Sequence, residues 1–324
     1  MITPVSQRRS ILSVLAFAVA LTLLCATSPS ALAAETLYGG LGGHNNGDST
    51  NDGALGIVSQ TTGAVSIVGH PAGVVRLSGV AYDTATNTLY GSTLFPGGGF
   101  PPPTGPRASN LITLDRNSGA LLTSTPVTAG AFQLSLADIA FQPGTNTLFG
   151  ITNPDGAGVG PGNLYTINLT TGVATLVGNT GLFFDTIAFA PNGTLYLAGE
   201  QLGMMGPDAS TDQLDTIDPT NAMILSTVKT SDFFGALAIR SDGTIFGGNG
   251  DQHTLFTVNP TTGAETLVGD TGSNFVGGLV FVTPETGSSL GFLVIALIAV
   301  AGARRHFAGA SALDVEKHAA DQSI

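Results

Sequence analysis

The stretch Thr36-Leu37-Tyr38 is the first of five similar triplets that decide the fold. Each later copy has a Thr, then Leu or Ile, then an aromatic residue: Thr88-Leu89-Tyr90, Thr147-Leu148-Phe149, Thr194-Leu195-Tyr196 and Thr244-Ile245-Phe246. The steps between copies are 52, 59, 47 and 50 residues. We interpret each triplet as the end of a short strand, and one unit of this length cannot bury its own apolar face. The repeat therefore predicts units that are stacked or arranged in a ring.

Each repeat is predicted to contain four strands, A to D, with the triplet on strand B. Strand C begins with Leu, and a tight turn such as Thr61-Thr62-Gly63 joins it to strand D as a hairpin. Strand A is apolar, and in most copies Ala separates two larger residues, so alternation predicts large side chains on one face and small ones on the other. Its copies are Val80-Ala81-Tyr82, Ile139-Ala140-Phe141, Ile187-Ala188-Phe189, Leu237-Ala238-Ile239 and Leu279-Val280-Phe281.

The order of the strands predicts a closed ring. The repeat region begins with strands B, C and D, continues through four complete units, and ends with a lone strand A at residues 279–281. This last strand completes a unit only if it pairs with the first strand B, at residues 36–38. Such closure leaves no open edge along the ring. We therefore predict an all-β fold, a five-bladed β-propeller of four-stranded blades over residues 35–283, with a stacked solenoid as the alternative.

Charge limits the classes of partner. Between residues 35 and 283 there are 18 acidic and five basic residues, a net charge of −13. The basic residues are scattered, so nucleic acid and anionic lipid are not expected to bind this domain. The single cysteine, Cys25, lies in an N-terminal apolar stretch, so the domain is expected to form without disulfides or thiolate metal sites.

Residues 1–34 have the three parts of an export signal. Arg8 and Arg9 form the charged start, an apolar stretch follows, and Ala31-Leu32-Ala33 resembles a cleavage site. The arginine pair also resembles a twin-arginine signal, so both a Sec and a twin-arginine route remain open. Either route predicts that the protein leaves the cytoplasm.

The C-terminal region contains a short motif, an apolar stretch and two basic residues in that order. Pro284-Glu285-Thr286-Gly287 is followed by apolar residues 290–303 and by Arg304-Arg305. A helix of this stretch would span about 21 Å, less than the roughly 30 Å of a hydrocarbon core. The arrangement resembles PEP-CTERM sorting tails, closest to their Val-Pro-Asp-Ser-Gly variant, which exosortase processes.

The same motif, Pro284 to Gly287, also resembles a sortase signal, and a plain membrane anchor is a third interpretation. In each case residues 284–305 form a sorting or anchoring segment with a short transmembrane helix, and residues 306–324 form a polar tail. An exosortase-like or sortase-like enzyme is the expected processing partner. The predicted location is the bacterial cell surface, the outer envelope or the extracellular matrix.

Loops on one face of the ring are the predicted place for binding. The loops between strands B and C vary in length and content, whereas the A–B and C–D turns are short and uniform. Variable loops on a rigid scaffold usually carry function. Candidate binding residues in these loops are His44, Asp155, Asp208 and Asp251.

Oxygen-rich and histidine-containing loops suggest two metal hypotheses. Residues 44–53 could bind Ca²⁺ through Asp48, Asp52 and backbone carbonyls, although an Asx-turn loop without metal explains the same residues. His44, His70 and His253 lie in loops of the same predicted face, where a transition-metal site is the functional interpretation and solvated side chains are the alternative. No other cofactor is indicated.

Carboxylates near the inner strands suggest an enzymatic alternative. Asp138, Asp185 and Asp232 lie at or before predicted A strands, close to the expected mouth of the channel. Five-bladed glycosidases use carboxylates at similar positions as acid and as base or nucleophile. Several phenylalanines end the D–A loops and are expected to be mainly core, with any exposed member able to stack on sugar rings. They are Phe132, Phe183, Phe184, Phe233, Phe234 and Phe275.

These observations favour a binding or structural module over an enzyme. The expected ligands are extracellular polysaccharide or another surface protein, an expectation that rests on the resemblance of the tail. The alternative is a glycan-cleaving hydrolase that uses the three carboxylates.

Overall fold

The structure is a computed structural model that describes residues 35–42, 50–94, 108–152, 162–200, 202–203, 206–207, 211–250, 252–272 and 274–283. The compact unit runs over Glu35–Thr283. Its strands in chain order are β1 Thr36–Leu41, β2 Leu55–Val58, β3 Val65–Gly69, β4 Leu77–Asp83, β5 Thr88–Thr93, β6 Asn110–Leu114, β7 Leu121–Pro126, β8 Thr128–Ala129, β9 Phe132–Gln133, β10 Leu136–Gln142, β11 Thr147–Thr152, β12 Asn163–Ile167, β13 Ala174–Asn179, β14 Phe183–Phe189, β15 Leu195–Glu200, β16 Leu202–Gly203, β17 Gly206–Pro207, β18 Gln213–Ile217, β19 Ile224–Lys229, β20 Ala236–Ile239, β21 Ile245–Asn249, β22 Thr254–Val258, β23 Glu265–Asp270 and β24 Val276–Val282.

Five four-stranded antiparallel sheets form the blades. Blade 1 has the order β24-β1-β2-β3, blade 2 has β4-β5-β6-β7, and blade 3 has β10-β11-β12-β13. Blade 4 has β14-β15-β18-β19, and blade 5 has β20-β21-β22-β23. The first strand of each sheet contacts the first strands of two other sheets, so these inner strands follow one another round a ring. The prediction of a five-bladed β-propeller is confirmed.

The last strand closes the ring as predicted. Strand β24 pairs with β1 in an antiparallel ladder that sets Leu37 opposite Phe281 and Tyr38 opposite Val280. The apolar side chains of β24 pack with blade 5 as well, because Val276 and Leu279 share a buried cluster with Ala236. The two ends of the repeat region therefore complete one blade together.

The core lies between neighbouring blades, and strand A supplies both of its sides. In blade 3, Ile139 and Phe141 pack in the cluster shared with blade 2, while Ala140 packs in the cluster shared with blade 4. Blade 2 repeats this arrangement, with Val80 and Tyr82 on one side and Ala81 on the other. This confirms the predicted alternation of large and small faces.

Strand B differs from the expectation in one respect, because the triplets open these strands and do not end them. Strand β1 continues from Thr36 to Leu41, and β5 continues from Thr88 to Thr93. In both strands the continuation contains glycine. A Cβ on Gly91 would lie 2.6 Å from Leu77 Cδ1, so this glycine makes room for an apolar side chain of strand A.

The outer D strands meet the turns of the next blade at the rim. The C–D turn of blade 2 abuts the end of β3, since a Cβ on Gly119 would lie 2.8 Å from the Cα of Gly69. The contact recurs between blades 5 and 1, where a Cβ on Gly63 would lie 2.6 Å from the carbonyl carbon of Gly269. The ring is thus closed at its rim as well as through its inner strands.

Candidate functional site

Several candidate residues lie outside the residues that the structure describes. These are the loop residues His44, Asp48, Asp155, Asp208 and Asp251, and the tail motif Pro284, Glu285, Thr286 and Gly287. The side chains of Asp185 and Phe184 are likewise outside the description. The hypotheses on these residues remain predictions.

The described members of the metal hypotheses do not form a cluster. His70 is exposed, His253 is half-buried, and Asp52 is half-buried in a turn of blade 1. The Nδ1 atom of His253 is buried and makes no hydrogen bond to the described residues. Across the described ranges, no three His, Cys, Asp or Glu side chains group closely enough to hold a metal ion.

Asp138 is buried between the inner strands of blades 3 and 4. Its side chain is 1% exposed, at a bulge in β10. One carboxylate oxygen accepts the N–H of Ile139 at 2.8 Å. The other accepts the Thr186 hydroxyl at 2.5 Å and the N–H of Ile187 at 3.2 Å, both on the inner strand of blade 4. Burial raises the pKa of this carboxyl well above its usual range, against the opposing effect of the hydrogen bonds.

Asp232 lies in the loop between blades 4 and 5 and makes a separate set of contacts. Its carboxylate accepts hydrogen bonds from Gln252 Nε2 at 2.9 Å and from Asn249 Nδ2 at 3.4 Å. Glu265 accepts the N–H of Asp232 at 3.1 Å, and burial raises the pKa of Glu265. Asp138 and Asp232 therefore accept hydrogen bonds from different residues, and their role as an acid and base pair stays a prediction.

Asp215 is a buried carboxylate that the sequence analysis missed. It accepts hydrogen bonds from Gln213 Nε2 at 2.7 Å and Thr227 Oγ1 at 2.5 Å, and burial raises its pKa. Tyr165 and Phe256 occupy the equivalent position in blades 3 and 5. The sequence could have indicated this residue, because Asp215 follows the first Leu of strand C at the position where blades 3 and 5 have an aromatic residue.

Phe132 is an exposed aromatic residue between the last strand of blade 2 and the first strand of blade 3. It lies on the two-stranded hairpin β8–β9, and its side chain is 56% exposed. Phe234 is by contrast 1% exposed in the core. Phe183, Phe233 and Phe275 are half-buried, so among the five members whose side chains are described only Phe234 belongs to the core, fewer than expected.

A chain of polar side chains links that hairpin to blade 2. Gln133 Nε2 donates to Asn110 Oδ1 at 3.1 Å, and Asn110 Nδ2 donates to Ser124 Oγ at 2.8 Å. Gln133 also donates to the carbonyl of Ser109 at 3.2 Å, which fixes its amide. A row of amide and hydroxyl groups therefore begins at Gln133, the residue that follows Phe132 in β9.

A small cleft lies against Asn110. It has a volume of ≈ 70 Å³, and residues 72–75, Thr93, Asn110 and Ser124 line it with apolar neighbours. Val75 in its wall is 45% exposed. All of the lining residues are uncharged. We name this cleft, together with Phe132 and Gln133, the blade-2 site.

The comparisons with known proteins are limited to the fold. No family model matches the sequence, and no curated protein matches it. The chain is similar to one in a nidogen/laminin complex, with TM-score 0.48, 11% identity, and 76% of this chain and 98% of that chain covered. It is also similar to the PQQ-bound aldose sugar dehydrogenase from Streptomyces coelicolor, with TM-score 0.43, 14% identity, and 68% and 76% covered.

AztD from Citrobacter koseri is a third similar structure, with TM-score 0.34, 14% identity, and 73% of this chain and 57% of that chain covered. Likeness at these levels carries no inference about ligand or activity. Within the described residues, no helix has the length and apolar character needed to cross a bilayer.

Proposed function

We propose that the protein is an exported, surface-associated module that binds neutral extracellular polysaccharide through the blade-2 site. The observation that supports this proposal is an exposed phenylalanine on the same hairpin as Gln133, from which an uncharged row of amide and hydroxyl groups extends. Aromatic faces pack against the apolar faces of sugar rings, and amides and hydroxyls hydrogen-bond sugar hydroxyls. The net charge of −13 over residues 35–283 favours neutral over anionic polymers.

Export by the N-terminal signal and processing of the tail by an exosortase-like or sortase-like enzyme belong to the same proposal. They would bring the module to the cell surface, where extracellular polymers are available. A surface protein as the ligand is the competing outcome.

Affinity electrophoresis of the purified propeller through gels that contain a neutral polysaccharide, such as dextran, or anionic alginate tests the proposal. We expect retardation by a neutral polymer and none by alginate. Phe132→Ala should weaken binding roughly tenfold, or about 1.4 kcal/mol, because it removes the stacking surface. Leu176→Ala is the matched control, because Leu176 is 57% exposed but lies on the outer strand of blade 3.

Two results would contradict the proposal. One is the absence of retardation across a panel of neutral polysaccharides, particularly with capture of a surface protein instead. The other is equal affinity of the Phe132→Ala variant and the wild type. Release of free sugar from the polymer, lost in Asp138→Ala, would favour the hydrolase alternative.

A further inference from the structure

A second cavity lies on the axis of the ring, separate from the blade-2 site. It has a volume of ≈ 140 Å³, and residues 80–82, 139–141, 187–189, 237–239 and 279–281 line it. These are three consecutive residues from the inner strand of each blade. Each inner strand pairs with strand B along one edge, so its other edge faces the axis. Backbone N–H and C=O groups of that second edge therefore face the cavity.

The hydrogen bonds identify which residues present those groups. The N–H of Ala190 donates to the carbonyl of Thr194 at 2.8 Å, on the strand B side of blade 4. Groups alternate between the two edges along a strand, so Phe189 and Ile187 present theirs to the axis. The N–H of Ile187 does leave its own sheet, because it donates to Asp138 of blade 3.

The other blades repeat this geometry. The N–H of Arg240 donates to the carbonyl of Thr244 at 2.9 Å, which directs the groups of Leu237 and Ile239 toward the axis. Applied to all five inner strands, the alternation gives a ring of five backbone carbonyls round the axis. They belong to Val80, Ile139, Ile187, Leu237 and Leu279.

The layer that contains Asp138 lies next to the residues that line the cavity. A Cβ on Gly278 would lie 2.5 Å from the Cα of Gly79, and a Cβ on Gly79 would lie 2.5 Å from Asp138 Oδ1. The inner strands are therefore in close contact at this layer. The buried carboxyl group of Asp138 accepts two of the N–H groups there, those of Ile139 and Ile187, whose carbonyls belong to the ring.

We propose that this axial cavity binds one Ca²⁺ ion, held by the five carbonyls and by water. Ca²⁺ takes six to eight oxygen ligands, often as a pentagonal bipyramid, and backbone carbonyls are among its usual ligands. A five-fold ring supplies five equatorial oxygens, and waters supply the axial positions. The cavity volume of ≈ 140 Å³ leaves room for the ion and for water molecules beside it. The net charge of −13 also favours a cation.

Calorimetric titration of the chelator-treated full chain with CaCl₂ tests the proposal. We expect one saturable site per chain and a melting temperature that rises with Ca²⁺ and falls again with EDTA. Asp138→Asn should weaken the affinity about tenfold, because an amide nitrogen cannot accept a backbone N–H as the second carboxyl oxygen of Asp138 does, which disturbs Ile139 and Ile187 of the carbonyl ring. Asp232→Asn, which lies in the loop between blades 4 and 5, is the matched control and should bind as the wild type does.

Crystals of the wild type soaked in SrCl₂ provide a measurement that does not depend on folding of a variant. We expect an anomalous difference peak on the axis between residues 80, 139, 187, 237 and 279. Density for water alone, or the absence of a saturable heat, would overturn the proposal. So would loss of the bound ion in an Asp48→Asn/Asp52→Asn double variant with an empty axis, because that result would place the ion in the loop of residues 44–53.

Discussion

Asp138 shows how packing within the ring determines the role of a carboxylate. Its neighbours in the same layer are small: Gly79, Thr186, Ala236 and Gly278 occupy the equivalent place on the other inner strands. The one carboxylate therefore reaches the strand of the next blade and bonds to Thr186 and Ile187. Its contacts are those of a link between blades, not of an acid or base that faces a polymer.

The burial of Asp138 predicts a pH dependence of stability. Burial raises the folded-state pKa of its carboxyl above the ordinary value, so the stability that the protonated form contributes is complete below that value and is lost as the pH rises through the folded pKa. Asp138→Asn removes the ionisation and should make urea unfolding less dependent on pH in this direction. A mutant with the same pH profile as the wild type would contradict the assignment.

At the scale of elements, the C–D turns join each blade to the one before it. Gly263 has φ +71°, and a Cβ there would overlap the carbonyl oxygen of Lys229 at the end of β19. Blade 4 is the exception, since Ala222 adopts the positive φ of 62° that glycine takes elsewhere. The conformation and the close contact together explain why glycine recurs at this turn.

Two glycines of blade 5 separate the effect of the positive φ from the effect of the contact between blades. Gly263→Ala should lower the free energy of unfolding by roughly 3 kcal/mol or more, because it adds an overlap with backbone to the strain at positive φ. Gly243→Ala is the control: Gly243 has φ +88° but no atom within 4 Å of its Cβ position, so the loss should be about 1–2 kcal/mol. Equal losses in urea unfolding would show that the blade contact has no effect.

Blade 4 also shows how a strand pair can exchange large and small residues. In blades 3 and 5, a glycine of strand B faces an aromatic residue of strand C, as Gly150 faces Tyr165. In blade 4, Leu197 faces Asp215. Leu197 is larger than glycine and fills space that the aromatic residue fills in the other two blades. Asp215 accepts hydrogen bonds from Gln213 and Thr227.

At the scale of the whole molecule, the pairing of β24 with β1 joins the five blades into a closed ring. Strand β24 belongs to blade 1 yet lies at the end of the repeat region, and it buries Val276, Leu279 and Val282. Each such side chain contributes roughly 1.5–3 kcal/mol when fully buried. Their sum is comparable to the roughly 5–15 kcal/mol stability of a typical domain.

Two truncations test the role of closure. A chain that ends at residue 283 retains β24 and should unfold in urea at the same midpoint as the full chain. A chain that ends at residue 275 lacks β24 and should lose its cooperative transition, because the edge of β1 and two blade interfaces become exposed. A cooperative transition at an unchanged midpoint in the shorter chain would contradict this account.

The sequence by itself determined the number of blades, the order of their strands and the closing pair, because the repeat period and alternation report directly on which faces must be buried. It did not determine where Asp138, Asp215 and Phe132 would lie. Their environments depend on neighbouring blades that are distant in sequence: Asp138 bonds to a residue 48 positions away, and the axial cavity is lined by all five inner strands. Only the packing of neighbouring blades in the closed ring decides which of these side chains are buried. That packing makes Asp138 a link between blades and leaves Phe132 on the surface.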